Sequence, residues 1–143
     1  MKVNGNSIPE KIVELGNKTY LNLGVKDISY TDENGNEISL FSYDQFEFGR
    51  PCYPDILRKT EKEYRLQNIV VTTINGNEFD GNDLSQSRMV SAIMSAKASG
   101  KFELQWKLAN NKIVLIQIEE LEEALALSID KVGEIITEIE GAE

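Results

Sequence analysis

Apolar and aromatic residues alternate with polar ones over residues 25–49, on both sides of an Asn-Gly pair at 34–35. A period near two is typical of β-strands, and Asn-Gly between two such runs is a strong hairpin signal. The alternation slips in phase between residues 38 and 48, as it does at a bulge or a twist. We therefore predict an antiparallel hairpin or meander whose second half is an aromatic strand.

The spacing of apolar residues becomes helical at residues 50–67. Apolar residues between 56 and 66 leave a polar face of Arg, Lys and Glu, and Pro54 suits the first turn of a helix. The pattern predicts a short connecting helix that is followed by a domain boundary near residue 67.

Two more hairpins are predicted in the second half of the chain. The run NIVVTTI is separated from EFD by an Asn-Gly pair at 75–76, which again indicates a hairpin turn. Further on, FELQW alternates up to Trp106 and is followed by Asn110 and Asn111, which suit turn positions with positive φ. We predict that Trp106 is a core or interface residue.

A helix is predicted between these two hairpins. Asp83 precedes an apolar residue, and Gln86 follows three positions later, which is the arrangement of a capping box. The segment LSQSRMVSAIMSAKAS places Met89 and Ile93 on one face, and Gly100 predicts the end of the helix.

The last segment, residues 118–140, predicts a helix of about six turns with one apolar stripe and an acidic back. The stripe is close to a heptad pattern of about three repeats. It can pack on the domain's own sheet or on copies of the chain, and the pattern leaves both open. The predicted interaction stripe consists of Leu121, Leu125, Ile129, Val132, Ile136 and Ile139.

Together these elements predict an α+β fold. Residues 1–67 form an N-terminal antiparallel β portion with its connecting helix. Residues 68–143 form a C-terminal ββ-α-ββ-α unit that ends in the long acidic helix.

The net charge of −9 is concentrated in that last helix. Residues 116–143 hold nine acidic residues and one lysine, which gives −8, so the first 115 residues sum to −1. This charge disfavours binding to DNA or to anionic lipid, and it is typical of a solvated helix face. We expect a soluble protein made in a cytoplasm, because neither an apolar membrane span nor a secretion signal is visible.

The residue types exclude several chemistries. The chain has no histidine and a single cysteine, Cys52, so histidine-based nucleophile pairs, histidine-ligated zinc and internal disulfides are excluded. The loop INGNEFDGND at 74–83 is rich in oxygen ligands but does not match the spacing of a calcium loop. Its NGN triplet, like those at 4–6 and 34–36, predicts a turn. We predict no metal site, no cofactor and no catalytic residue.

Residues 78–126 carry a family resemblance. The stretch resembles a C-terminal domain of unknown function that is found in short tail and tail-fibre-associated proteins of tailed phages and prophages. The chain departs from that pattern at Lys107, where Arg is usual, and at the first turn residue, where Asp is usual. The matching positions are Phe79, Asp80, Gly81, Gln86, Arg88, Trp106, Asn110 and Asn111.

The resemblance implies a non-enzymatic tail protein that acts through protein–protein contacts and self-association. Its partners would be other tail or fibre proteins, without nucleic acid or membrane. It would assemble in the host cytoplasm and then reside in the virion tail. Two alternatives are a tail-fibre assembly chaperone and a small acidic phage protein that inhibits a host enzyme or defence nuclease.

Overall fold

A computed structural model describes residues 1–141 and has ten strands and three helices within them, which confirms the predicted α+β class. Ala142 and Glu143, the end of the predicted C-terminal domain, lie outside the described residues. The strands are β1 (Lys2–Gly5), β2 (Ile12–Leu15), β3 (Lys18–Asp27), β4 (Tyr30–Thr31), β5 (Glu37–Ile38), β6 (Phe41–Gly49), β7 (Val70–Thr72), β8 (Glu78–Asp80), β9 (Glu103–Lys107) and β10 (Ile113–Gln117). The helices are α1 (Pro54–Gln67), α2 (Asp83–Ala98) and α3 (Ile118–Glu140).

The chain divides into an N-terminal unit, Met1–Glu61, and a C-terminal unit, Lys62–Glu143. The border falls within α1, whereas the sequence predicted it near residue 67, at the end of that helix. Pro54 is the first residue of α1, as its position in the pattern predicted.

The N-terminal unit is built on an antiparallel sheet with the strand order β1-β6-β3-β2. Leu21 and Leu23 of β3 are its buried apolar residues. The ladder between β3 and β6 shifts register between Leu23 and Lys26, opposite Tyr43, so the irregularity predicted for the aromatic strand is present as a bulge on its partner. The N-terminal NGN triplet is not a turn, because Asn4 and Gly5 lie in β1.

The C-terminal unit consists of the hairpins β7–β8 and β9–β10 with helices α2 and α3. Its core brings together one face from every one of these elements, and Phe79, Met89 and Leu121 are completely buried in it. The alternation of β8 and the helical period of α2 and α3 account for these positions. The buried core residues are Ile69, Val71, Phe79, Met89, Ile93, Ala96, Leu108, Ile116, Ile118, Leu121, Ala124, Ile135 and Ile139.

The three predicted hairpin turns share one geometry. In each, a backbone N–H donates to the carbonyl three residues earlier, and the residue that donates has positive φ: Gly35, Gly76 and Asn111. This is a type I turn followed by a left-handed residue, which closes a three-residue loop. The asparagine that precedes each of them keeps negative φ, so only the second residue of each predicted pair takes the left-handed conformation.

The N-cap of helix α2 lies one residue earlier than predicted. Asn82, not Asp83, is the N-cap, and its side chain accepts a hydrogen bond from the backbone N–H of Ser85 at 2.9 Å. Gln86 instead donates to the carbonyl of Gly81 at 2.8 Å. Gly100 follows the helix with φ +67°, as predicted.

Two of the six residues of the predicted interaction stripe on α3 lie in the core of the unit itself. Leu121 and Ile139 are buried there, and Leu125 and Val132 pack against the core. Ile129 is 54 % exposed, and Ser128 takes its place in the buried row. At about 100° per residue, Ser128 lies within about 20° of Leu121 around the helix, whereas Ile129 lies about 80° away.

Candidate functional site

Strands β8 and β9 belong to different hairpins, and one backbone hydrogen bond joins β8 to the turn that follows β9. The backbone N–H of Ala109 donates to the carbonyl of Glu78 at 2.9 Å. Beyond this bond the two strands part, and a surface groove of about 300 Å³ opens between them and the first turns of α2. The groove is lined by Asp80, Ser85, Arg88, Gln105, Trp106, Lys107 and Asn111.

The ladder of the β9–β10 hairpin fixes which backbone groups face the groove. Leu108 bonds with Lys112 and Phe102 with Ile118, so every second residue of β9 between them also bonds to β10. Gln105 and the residues two positions to either side of it therefore direct their N–H and C=O groups away from β10. Strand β9 thus presents a free edge.

The edge of β8 is oriented in the same way. The N–H of Gly81 donates to the carbonyl of Ile69 at 2.8 Å, so the neighbouring Asp80 directs its backbone groups away from β7. Within residues 1–141, the outward backbone groups of Asp80, Gln105 and Lys107 have no hydrogen-bond partner in the chain. Two unpaired strand edges therefore border one groove.

The charges in the groove are also unpaired. Arg88 and Lys107 form no ion pair with any described residue, and Asp80 is the one acidic residue of the lining. Two cations against one carboxylate leave the groove with a charge of +1 in a chain whose net charge is −9. Trp106 is half-buried and packs against the core, so one wall of the groove is continuous with the core.

Four of the residues that carry the family resemblance, Asp80, Arg88, Trp106 and Asn111, come together around this groove. Sequence reasoning did not single out Ser85, Gln105 and Lys107 as site residues. The alternation of β9 was the available signal for the last two, because it places them on the polar face of the strand.

The other residues on which the resemblance rests have structural roles. Phe79 is buried in the core, Gln86 bonds the carbonyl that precedes α2, and Asn110 accepts a hydrogen bond from the N–H of Lys112 at 3.0 Å in its turn. Gly81 lies against α3. A Cβ atom on Gly81 would stand 2.5 Å from Ser128 Oγ and 2.7 Å from Ile69 Cγ2.

A second polar cluster attaches the tip of the β7–β8 hairpin to α3. Glu120 is only 8 % exposed, and its carboxylate accepts hydrogen bonds from Thr73 Oγ1 and Asn77 Nδ2, both at 2.8 Å. Burial raises the pKa of Glu120, but hydrogen bonds from Asn77, Thr73 and Asn75 outweigh it and hold the pKa below its ordinary value. Every donor in this cluster stabilises the ionised carboxylate, so the cluster is a structural clamp.

The acidic back of α3 is partly neutralised within the C-terminal unit. Four of its glutamates form ion pairs with lysine or arginine side chains of the same unit. These pairs are Glu122 with Lys97, Glu134 with Lys131, Glu138 with Arg65 and Glu140 with Lys62.

Among residues 1–141, no group of three or more Cys, Asp or Glu side chains has an arrangement that could hold a metal ion. In the same range, no helix has the length and apolar character needed to cross a membrane. Neither result assigns an activity to the groove.

Comparison with known proteins adds no family. No protein-family model matches the chain, and no curated protein and no solved structure gives a significant match.

Proposed function

We propose that the chain is a non-enzymatic, tail-associated structural protein of a phage or prophage, which acts through protein–protein contacts made by its C-terminal unit. The observation that carries the proposal is the convergence of Asp80, Arg88, Trp106 and Asn111 on one groove. These residues are separated along the chain and belong to the motifs on which the family resemblance rests. Residues shared for packing alone would instead be expected in the core.

The groove has the properties of a protein-binding surface. It combines a half-buried tryptophan with an arginine, and these are the residue types that most often dominate binding energy at protein interfaces. Its unpaired strand edges add backbone donors and acceptors. A structural protein needs such a surface and needs no reactive group.

Self-association is a second part of the proposal, and its surface on α3 must differ from the predicted stripe. Leu125 and Val132 pack on the core, so substituting them would damage the unit itself. The exposed Ile129 is the residue of the stripe that a second copy can reach.

The alternative of an acidic inhibitor is disfavoured by the ion pairs on α3. A protein that imitates nucleic acid needs a continuous array of unpaired acidic groups, and Lys62, Arg65, Lys97 and Lys131 interrupt this array. The charge that remains is more diffuse than the composition alone suggests.

Quantitative mass spectrometry of purified particles from the phage or induced prophage tests the proposal. A structural tail protein is expected in particles at a fixed ratio to the other tail proteins. Presence in the lysate together with absence from particles would assign the chaperone role. If the chain is absent from particles and its complexes in the lysate also contain no tail protein, the proposal is refuted.

A further inference from the structure

We propose that the groove binds an extended, acidic segment of a partner protein, which adds as a strand to the free edge of β9. This inference rests on the proposed function, since protein contacts are the activity assigned to the unit. It names the class of partner and the manner of binding. Four steps support it.

The first step is the backbone. Gln105 and Lys107 line the groove and direct their N–H and C=O groups away from β10, and within residues 1–141 nothing pairs with these groups. Outward groups two residues apart along a strand are about 6.6–6.8 Å apart, which is the repeat that an added strand matches. Peptides that add to a sheet edge obtain much of their affinity from such main-chain bonds.

The second step is the length of the segment. The bond between Ala109 N–H and the Glu78 carbonyl closes one end of the groove. A new strand can therefore pair only with β9 itself, Glu103–Lys107. The site accepts about five residues of an extended chain and requires no movement of the hairpin.

The third step is charge. Arg88 and Lys107 line the groove without an ion pair among the described residues, and only Asp80 opposes them. An acidic side chain on the added strand would supply the missing partner for these cations. A basic segment would bring like charges together and would leave both cations unpaired.

The fourth step separates this occupant from two others. A second copy would offer its own free β9 edge, but that strand, ELQWK, carries Lys107 as well as Glu103 and so brings no net negative charge to the cations. Nucleic acid would meet a chain of net charge −9, and a groove with two cations offers little against that repulsion. An acidic polypeptide satisfies both the edge and the charge.

The test uses the full chain, labelled with ¹⁵N, and a capped synthetic peptide of sequence Thr-Val-Glu-Val-Glu-Val-Thr. Two matched peptides serve as controls: one has lysine in place of both glutamates, and one carries N-methyl groups on alternate backbone amides. Binding is followed by amide chemical shifts and by the indole signal of Trp106. We expect the acidic peptide to shift the amide signals of Gln105 and Lys107.

The double substitution Arg88→Gln and Lys107→Gln is expected to weaken binding by about three- to tenfold, as two partly exposed charge pairs would. Lys112→Gln removes one positive charge outside the groove and is expected to leave the affinity unchanged. The N-methylated peptide should lose about tenfold or more, since two main-chain hydrogen bonds are blocked.

Three results would overturn the inference. These are equal binding of the lysine peptide, full binding of the N-methylated peptide, and no shift at Gln105 and Lys107 at millimolar peptide. Shifts of these amides that depend on protein concentration without peptide would assign the edge to a second copy and would also overturn it. If the chain is found in tail particles but fails the peptide test, the proposed function stands and only this inference is refuted, so the two tests are distinguishable.

Discussion

Replacing Gly81 by alanine tests how closely the β7–β8 hairpin packs on α3. The added methyl group would lie 2.5 Å from Ser128 Oγ, 2.7 Å from Ile69 Cγ2 and 3.0 Å from Ser128 Cβ. Non-bonded carbon atoms normally pack at about 3.5–4.0 Å. The hairpin, the helix or both must therefore shift by about 1 Å.

Overpacking of this kind costs about 1–3 kcal/mol. Two neighbours are affected and the glycine is buried, so we expect Gly81→Ala to lower the free energy of unfolding by about 2–3 kcal/mol. Ser128→Ala alone should change it by less than about 1 kcal/mol, because the Ser128 hydroxyl donates only to the helical carbonyl of Ala124. When Gly81→Ala is combined with Ser128→Ala, the loss in free energy of unfolding caused by Gly81→Ala should be smaller by about 0.5–1.5 kcal/mol, because the nearest clashing atom is absent.

Urea unfolding followed by tryptophan fluorescence is the appropriate assay. Trp106 is the only tryptophan of the chain and packs on the core of the C-terminal unit, so its signal reports that unit. Gly133→Ala in α3 is the matched control, since nothing lies within 4 Å of its added methyl group. The control should stabilise by up to about 1 kcal/mol through helix propensity. A Gly81→Ala cost below about 0.5 kcal/mol, or an equal cost with and without Ser128, would refute the close approach.

Three further predictions use the same fluorescence signal. Because the pKa of Glu120 is lowered on folding, its contribution to stability is present above the ordinary value of 4.5 and is lost as the pH falls through the lowered pKa. Glu120→Gln should therefore flatten the dependence of the free energy of unfolding on pH below pH 4.5. An unchanged dependence would contradict the role of Glu120 as a clamp. Phe79→Ala should cost about 3–5 kcal/mol in urea titrations, and a cost near 1 kcal/mol would mean that the site collapses around the smaller side chain. Ile129→Asp should change the free energy of unfolding by no more than about 0.5 kcal/mol, whereas Leu121→Asp should abolish cooperative unfolding. Sedimentation of the Ile129→Asp variant then shows whether the exposed face of α3 at Ile129 mediates self-association.

The sequence was sufficient to predict the elements of the C-terminal unit, because each of them has a local signal. Three turn pairs placed the hairpins, and the left-handed Gly76 and Asn111 confirm two of them in this unit. The alternation of β8 accounts for the burial of Phe79 in the core. Such signals depend only on neighbouring residues, so one sequence is enough to read them.

The buried row of α3 could not be predicted because its decisive residues are small. Ala124 and Ser128 carry no apolar bulk, so a heptad pattern passed over them and selected Leu125 and Ile129. Which residues of α3 are buried depends on the element that packs against the helix, and here the backbone of Gly81 lies against Ser128. A contact between residues so distant in the chain leaves no periodic signal in either segment.

The groove escaped prediction for a related reason, although its residues were already in view. Along Phe79-Asp80-Gly81, successive side chains point to opposite faces, so one short motif places Phe79 in the core and Asp80 at the groove. A three-residue segment with this alternation therefore combines a packing requirement with a surface requirement. Only the structure separates them, because it shows that Glu78 of β8 bonds to Ala109, just beyond the end of β9, and that β8 and β9 do not pair with each other. The unpaired edges beyond that bond are a property of two strands together, and neither strand sequence contains them.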